Sequence, residues 1–183
     1  LMDMQNIKSV DIIVGGPPCQ AYSLVGRAVK SDSMRNDPRN YLYKIYIKML
    51  EKYSPKMFVF ENVPGLLTAN KGKYFSDMKE AFNNAGYEIN YRVLNAKNFG
   101  VLQNRLRVIL IGWKKGSGKS YPEFPEKTFK YTVSDILCDL PALQAGESSN
   151  SYRSGRYSKY LSNTGIRKQT DILTWHCSRP NIE

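Results

Sequence analysis

Histidine is almost missing from this sequence: His176 is the single one in 183 residues, and cysteine occurs only as Cys19, Cys138 and Cys177. A cysteine hydrolase needs a base beside its thiol, and one histidine near the far end of the chain leaves little to fill that role. The three cysteines are far apart and form no C-x-x-C pair, so neither a disulfide framework nor a zinc site is expected. No apolar run approaches the roughly 18 residues of a membrane helix, and the opening LMDMQNIKSV lacks the basic-then-apolar pattern of a signal peptide. A reduced, intracellular setting without a membrane is therefore the expectation. Internal repeats are absent as well, which excludes a solenoid. Acidic residues are in deficit, 16 Asp+Glu against 27 Lys+Arg for a net charge of +11, and such an imbalance points first to a polyanionic partner, most often nucleic acid. What remains is ordinary: 42% hydrophobic residues in a chain long enough for one domain with a core.

Three short apolar runs read as strands buried on both faces: residues 10–14, 57–61 and 107–113. Between the first two lies DPRNYLYKIYIKMLEKYSP, where Leu42, Ile45, Tyr46, Met49, Leu50 and Tyr53 form a helical stripe. Asp37 is placed to cap this helix with Pro38 as its first residue, and Ser54-Pro55 ends it. Lys44, Lys48 and Lys52 form a row that reads as the solvated back of the same helix. A second helix is expected from Tyr74 to Ala85, with Phe75, Met78 and Phe82 on one face and Gly86 as its stop. The segment YEINYRVLNA then alternates, with Tyr87, Ile89, Tyr91 and Val93 on one side, as in a half-exposed strand. The order strand, helix, strand, helix, strand, strand describes an α/β sheet with parallel crossovers and a final hairpin-like pair. After Trp113 the chain becomes a Gly/Pro/Lys loop and then a polar, basic, tyrosine-rich region, so the division expected is 1–116 and 117–183. Within that loop, GWKKGSGKS only imitates a phosphate-binding loop: five residues, not four, separate Gly112 from Gly118, and Tyr121-Pro122 follows where a helix should start.

Three places carry residues fit for chemistry. In VDIIVGGPPCQAYS a strand ends in two glycines, Gly15 and Gly16, that permit close approach of another chain or a cofactor, two prolines that lock the backbone, and Cys19. A free cysteine is often a small core residue, but a rigidly displayed thiol near arginines is a nucleophile. In FVFENVPGLL, Glu61 and Asn62 end an apolar strand, so Glu61 is either an exposed or arginine-paired strand-end charge or a working acid. In NFGVLQNRLRVILIGW, Gln103, Arg105 and Arg107 alternate into a buried run, and arginines two apart share one face of an extended chain. They are either surface charge or groups turned toward Cys19 and Glu61. Ligands of open α/β sheets bind beyond the carboxyl ends of the parallel strands, where Cys19 and Glu61 both fall.

Taken together, GGPPCQAYS, ENVPGLL and QNRLR resemble the nucleophile loop, the Glu-Asn-Val segment and the Gln-x-Arg-x-Arg segment of the C5 cytosine DNA methyltransferases, in that family's order. DPRNYLYKIY and TVSDILCDLPAL resemble further segments of bacterial members, so the resemblance covers nearly the whole chain. It implies an α/β fold, part of a Rossmann-like S-adenosylmethionine-dependent methyltransferase sheet. That sheet is three-layered and mostly parallel, ends in an antiparallel strand, and lacks the N-terminal cofactor-binding strands. Residues 1–116 would be the C-terminal part of the catalytic domain, and 117–183 a linker and the start of the region leading to target recognition. The implied nucleophile is Cys19, which adds to carbon 6 of cytosine so that carbon 5 can accept a methyl group. Glu61 would hold the ring near N3 and the exocyclic amine and supply a proton or hydrogen bond. Arg107 would bind the carbonyl at position 2, and Arg105 would steady the nucleophile loop or the DNA. The target base must be flipped out of duplex DNA. Gln20, Ser23, Arg27 and Gln103 are the implied DNA contacts, with Ser23 on a phosphate, while Lys30, Arg35 and Arg39 add positive charge near the loop. Pro18 and Leu42 match positions that touch the cofactor, S-adenosylmethionine. A monomer acting on double-stranded DNA in the bacterial cytoplasm, at the nucleoid, is the corresponding partner and location.

The sequence departs from that family at its edges. It has no Phe-x-Gly-x-Gly turn and no cofactor-ribose carboxylate segment, and it ends at ILTWHCSRPNIE, where the target-recognition region should follow. The expectation is that these 183 residues alone neither bind S-adenosylmethionine tightly nor methylate DNA. Two other readings stand beside this one. An RNA cytosine methyltransferase shares the nucleophile loop, but its tRNA-type members usually carry Thr where Ser23 stands and a Cys-Phe-Thr segment that is missing here. A non-catalytic DNA-binding module is compatible with the missing cofactor turn and disfavoured by the intact Cys19, Glu61 and Arg107. His176 reads as structural or DNA-proximal.

Overall fold

The computed structural model describes residues 9–18, 42–127, 130–168 and 170–181. Cys19, Gln20, Ser23 and Arg27, together with the Asp37 cap and Lys30, Arg35 and Arg39, lie outside the described residues. The chain divides into two compact units: Leu1–Phe99 with Asn104–Glu126, and Gly100–Gln103 with Lys127–Glu183.

The first unit is built on a four-stranded sheet in the order β1-β2-β4-β3, with β1 at Ile12–Gly15, β2 at Met57–Asn62, β3 at Tyr87–Asn95 and β4 at Leu106–Lys114. β1 and β2 are parallel, whereas β4 is antiparallel to both of its neighbours, β2 and β3. Three strands thus share one direction, and β4 alone is reversed, entering between β2 and β3. The short edge strand β1 pairs with β2 in the register Ile12↔Met57 through Gly15↔Phe60, so the two start together and β2 runs on through Glu61 and Asn62.

Helix α1, Leu42–Tyr53, joins these parallel strands. Its buried face is Tyr43, Tyr46, Ile47, Leu50 and Tyr53. The expected stripe is therefore rotated: Ile45 and Met49 are exposed. Both sets have helical spacing, and aromatic packing decides between them, because the Tyr46 ring meets Phe58, Phe60 and Phe82 edge-on at centroid distances of 5.7, 5.3 and 6.3 Å. Lys44, Lys48 and Lys52 lie on the exposed side, as their spacing implies. The helix closes with the Ser54 N–H on the Leu50 carbonyl, just before Pro55.

After β2 the chain makes a short helix that composition alone does not announce, α2 at Gly65–Thr68. It then reverses through Asn70, Lys71 and Gly72, all with positive φ of 49°, 54° and 84°. Helix α3, Lys73–Asn84, buries Phe75, Met78 and Phe82 as the sequence predicts. With α1 it covers one sheet face, where Leu50, Phe58, Met78, Phe82, Tyr87 and Leu110 are fully buried. Each contributes about 1.5–3 kcal/mol relative to an exposed position. On β3 the alternation fades: Tyr87 is buried, Tyr91 leans on Phe75 at 4.8 Å, and Val93 is exposed.

The opposite face is covered, among the described residues, by the segment 115–126. Tyr121 packs with Ile111 and Trp113 and donates its hydroxyl to the Ile109 carbonyl at 2.9 Å, and the Arg92 guanidinium lies 5.2 Å from the Tyr121 ring centre. Trp113 Nε1 donates to Glu88 at 3.2 Å. The expectation that the first strand is buried on both faces does not hold: Ile12 is 51% and Val14 71% exposed. β1 is the sheet edge, and Tyr121 reaches only the β4 side. The stretch after β4 forms a turn rather than a helix, consistent with a solvated Lys/Gly loop.

The second unit holds α4 at Val133–Leu137, capped reciprocally by Thr132 and Asp135, and α5 at Lys159–Thr164, capped by the Ser158 hydroxyl. The tyrosine-rich stretch thus contains a helix, with Tyr160 and Leu161 buried. Arg167 pairs with buried Asp139 and stacks 4.4 Å above the Tyr152 ring centre. A two-residue ladder joins β5, Ser148–Ser149, to β6, His176–Cys177. His176 Nε2 hydrogen-bonds the Pro141 carbonyl at 2.8 Å. Among the described residues no helix is long and apolar enough to cross a membrane, and no cluster of His, Cys, Asp and Glu is arranged to hold a metal ion.

Candidate active site

The topology brings three chain segments to one edge of the sheet. β1 and β2 run parallel and end there in Gly15 and Asn62, and β4, being reversed, starts there at Leu106. Met57, Val59 and Glu61 alternate onto the same sheet face as Arg107, Ile109 and Ile111. Glu61 is registered with Ile109, so Arg107 lies one step diagonally from it. Arg107 Nε meets Glu61 Oε1 at 2.6 Å, and the Arg107 guanidinium also donates to the Leu106 carbonyl at 2.8 Å. The two side chains keep 23% and 43% of their surface open, Arg107 and Glu61 respectively. An ion pair this open adds on the order of 1 kcal/mol or less to folding.

The two glycines before the prolines have separate neighbours. A Cβ on Gly15 would lie 2.9 Å from the Tyr46 ring on the helix-covered face, and one on Gly16 would lie 2.7 Å from Glu61 Oε2 on the opposite face. The described neighbours of these glycines are thus side chains of the same unit, Tyr46 and Glu61, rather than another chain or a cofactor. Asn62, only 2% exposed, ties the loop down: its amide nitrogen donates to the Pro17 carbonyl at 3.3 Å and its oxygen accepts the Val63 N–H at 2.9 Å. Pro17 and Pro18 follow directly, and Pro18 is exposed next to the position of Cys19. Leu42 is half-buried at the first described turn of α1.

Arg105 precedes β4, and its backbone is held by Asn95: the Arg105 N–H donates to Asn95 Oδ1 at 3.1 Å, while its carbonyl accepts the Ala96 N–H at 3.0 Å. Asn95 Nδ2 also donates to Asn104 at 2.6 Å. The Arg105 side chain is exposed. Gln103 is exposed and belongs to the second unit. The structure thus joins Glu61 directly to Arg107 and sets Glu61 beside Gly16, while Asn62 holds the Pro17 carbonyl. Tyr46, Asn62 and Asn95 support this edge without having been singled out as site residues. Asn62 carried a signal, being polar at the end of an apolar strand, whereas Tyr46 was one tyrosine among 13.

A carboxyl group that accepts or donates beside a forked set of guanidinium donors suits a planar ring with donors and acceptors on adjacent positions. Pro18 and Leu42 are apolar: they can lend surface to a cofactor but offer no side-chain partner to a ribose or a carboxylate. By themselves they do not make a site for S-adenosylmethionine.

A mostly parallel sheet with one reversed strand, and polar groups converging at the carboxyl edge, is the architecture of an α/β protein. Comparison makes the class specific. The family model for C-5 cytosine-specific DNA methylases matches residues 1–181, and the chain belongs to that family. It is 45% identical over 148 residues to the type II methyltransferase M.Bpa9945I of Bacillus paralicheniformis, an alignment covering 74% of this chain and 33% of that one. It is 42% identical over 144 residues to M1.HphI of Haemophilus parahaemolyticus, covering 79% and 38%. Among solved structures, the fold superposes with a TM-score of 0.61 at 25% identity on a candidate DNA modification methyltransferase from an E. coli prophage, covering 87% of this chain and 45% of that one. The chain spans 33% and 38% of the length of these two curated relatives.

Proposed function

We propose that these residues form the catalytic centre of a DNA (cytosine-5-)-methyltransferase that transfers a methyl group from S-adenosylmethionine to carbon 5 of a flipped-out cytosine. The observation that carries this reading is the Glu61–Arg107 pair, with the Glu61 carboxylate beside Gly16, three residues ahead of Cys19. S-adenosylmethionine supplies the methyl group when bound, and Pro18 and Leu42 would contribute only apolar contact to it.

In this mechanism the Cys19 thiolate bonds to carbon 6 of the base, and the ring electrons move toward carbon 5. Glu61 faces N3 and the exocyclic amine and gives up a proton or hydrogen bond as negative charge gathers there. Arg107 holds Glu61 through Nε and has further N–H donors for the carbonyl at position 2. After the methyl group is in place, loss of the carbon 5 proton and departure of the thiolate restore the ring. Arg105, exposed on a backbone fixed by Asn95, is a positioning group for the nucleophile loop or the DNA. Gln20, Ser23, Arg27 and Gln103 are proposed DNA contacts. Extrusion of the base costs a few kcal/mol, offset by such contacts to phosphates and bases.

The excess of positive charge suits duplex DNA, and the type II relatives support a role in restriction-modification. A monomer in the bacterial cytoplasm, working at the nucleoid, completes the proposal. The test is covalent trapping on duplex DNA carrying 5-fluorocytosine, using a polypeptide of the relatives' length that contains these residues. Wild type should form a stable adduct and Cys19→Ser should form none; an adduct with the serine variant would overturn the assignment. The 183 residues expressed alone should incorporate no labelled methyl group into DNA.

A further inference from the structure

β1 is joined to β2 over only four residue pairs, and among the described residues its other edge has no strand beside it. Such a short edge ladder is a weak means of fixing where a strand ends. Yet Gly15 leads straight into Gly16, Pro17, Pro18 and Cys19, so the end of β1 sets the origin of that loop.

A second device acts there. Tyr46, buried in α1, points its hydroxyl at the two strands and lies 3.0 Å from the carbonyl of Ile13 in β1 and 3.0 Å from the carbonyl of Val59 in β2. A phenol has one hydrogen, so the two carbonyls share a single donor, and their separation is set by one oxygen atom. The same ring fills the space over Gly15 that any Cβ would occupy, and it is itself locked edge-on among Phe58, Phe60 and Phe82. Two residues beyond Val59 stands Glu61, and two beyond Ile13 stands Gly15.

We infer that Tyr46 is a positioning residue for methyl transfer: its buried hydroxyl clamps β1 to β2 immediately before Gly16, the root of the nucleophile loop, and Glu61, and so fixes the separation of that root from Glu61. This role rests on the function proposed above. The thiol and the carboxyl group must meet opposite parts of one base at the same moment, and displacement by about 1 Å is enough to lower such a rate on the order of 100-fold. Burial pushes the Tyr46 hydroxyl well above the ordinary tyrosine range, so it remains a donor at any pH at which the reaction runs.

The experiment compares wild type, Tyr46→Phe and Leu50→Ala in a polypeptide of the relatives' length. Leu50 is fully buried on the same helix and has no polar group, so its variant reports loss of core packing alone. Single-turnover adduct formation on 5-fluorocytosine duplex is measured beside DNA affinity, the KM for S-adenosylmethionine and the melting temperature. Tyr46→Phe should slow adduct formation by about 10-fold or more while DNA affinity and cofactor KM change less than about threefold. Leu50→Ala should melt at least as early as Tyr46→Phe yet trap at close to the wild-type rate. The inference is overturned if Tyr46→Phe traps as fast as wild type, or if Leu50→Ala is slowed equally. A wild-type protein that forms no adduct removes the reaction itself, and the clamp's role with it.

Discussion

Gly16 leaves room for Glu61: a Cβ on the glycine would stand 2.7 Å from the carboxylate oxygen and 3.4 Å from the Glu61 carbonyl. The carboxylate is the end of a side chain that can swing away, so the fold tolerates the intrusion better than the ion pair does. Gly16→Ala should leave the melting temperature within a few degrees of wild type, about 1 kcal/mol or less, while adduct formation on 5-fluorocytosine DNA falls at least about 10-fold. Gly15→Ala meets the locked Tyr46 ring instead and should cost about 1–3 kcal/mol in urea unfolding. Equal loss of stability in the two variants would contradict the opposed roles of these neighbours.

Replacing Glu61 by Gln keeps its shape and removes its charge. Because the pair with Arg107 is partly open to solvent, the stability change should stay under about 1 kcal/mol. Adduct formation should drop by about 100-fold or more, since the group that meets the developing charge is gone. Arg107→Lys should follow the same pattern, because one ammonium cannot reach Glu61, the Leu106 carbonyl and a ligand with the geometry of a guanidinium fork. Single-turnover trapping beside chemical denaturation separates the two effects.

Gly112 sits opposite Phe58 in the β2–β4 ladder, and a Cβ there would come within 2.1 Å of the fully buried phenyl ring. The ring is enclosed by Tyr46, Phe82 and Tyr87 and has no free direction in which to retreat. Gly112→Ala should therefore destabilise the sheet unit by about 3 kcal/mol or prevent folding. Calorimetry or circular dichroism decides this, and a melting temperature equal to wild type would refute it.

Burial raises the Tyr87 hydroxyl to about 12, and the group donates to the Pro55 carbonyl at 2.8 Å. The folded state therefore holds this proton more tightly than the unfolded chain, whose tyrosine titrates near 10. The resulting stability is fully present below pH 10 and is lost as pH rises toward 12, with Tyr46 shifted in the same direction. Urea midpoints should fall over that window, and Tyr87→Phe should flatten part of the decline.

Much of this architecture is visible in the amino-acid order. The apolar runs at Met57 and Val108 and the helical spacing of Phe75, Met78 and Phe82 mark their elements, and the abrupt polarity of Glu61-Asn62 marks the end of β2. The face of α1 was less legible, because Ile45 and Met49 share the spacing of Tyr43 and Ile47, and only the aromatic cluster beneath Tyr46 separates the sets. The exposure of β1 was hidden for a related reason: a run such as Ile12-Ile13-Val14 states its apolarity, not which of its neighbours arrive. The helix at Lys159–Thr164 escaped a reading based on composition, since its two buried residues are too few to show periodicity. At the site, residue types told which groups could react, whereas the sharing of Gly15 and Gly16 between Tyr46 and Glu61 depends on two faces of one strand end and has no linear signature.

The uncovered margin at Ile12 and Val14 also bears on how such a polypeptide behaves in the hand. Among the described residues no strand lies against the free edge of β1, which is flanked by branched aliphatic side chains and carries the Asp11–Lys56 ion pair, and such an edge is a template for pairing with another copy. Preparations restricted to these residues should form soluble oligomers or precipitate as concentration rises, and a charged substitution such as Val14→Lys, on the face away from the core, is the economical way to keep them monodisperse.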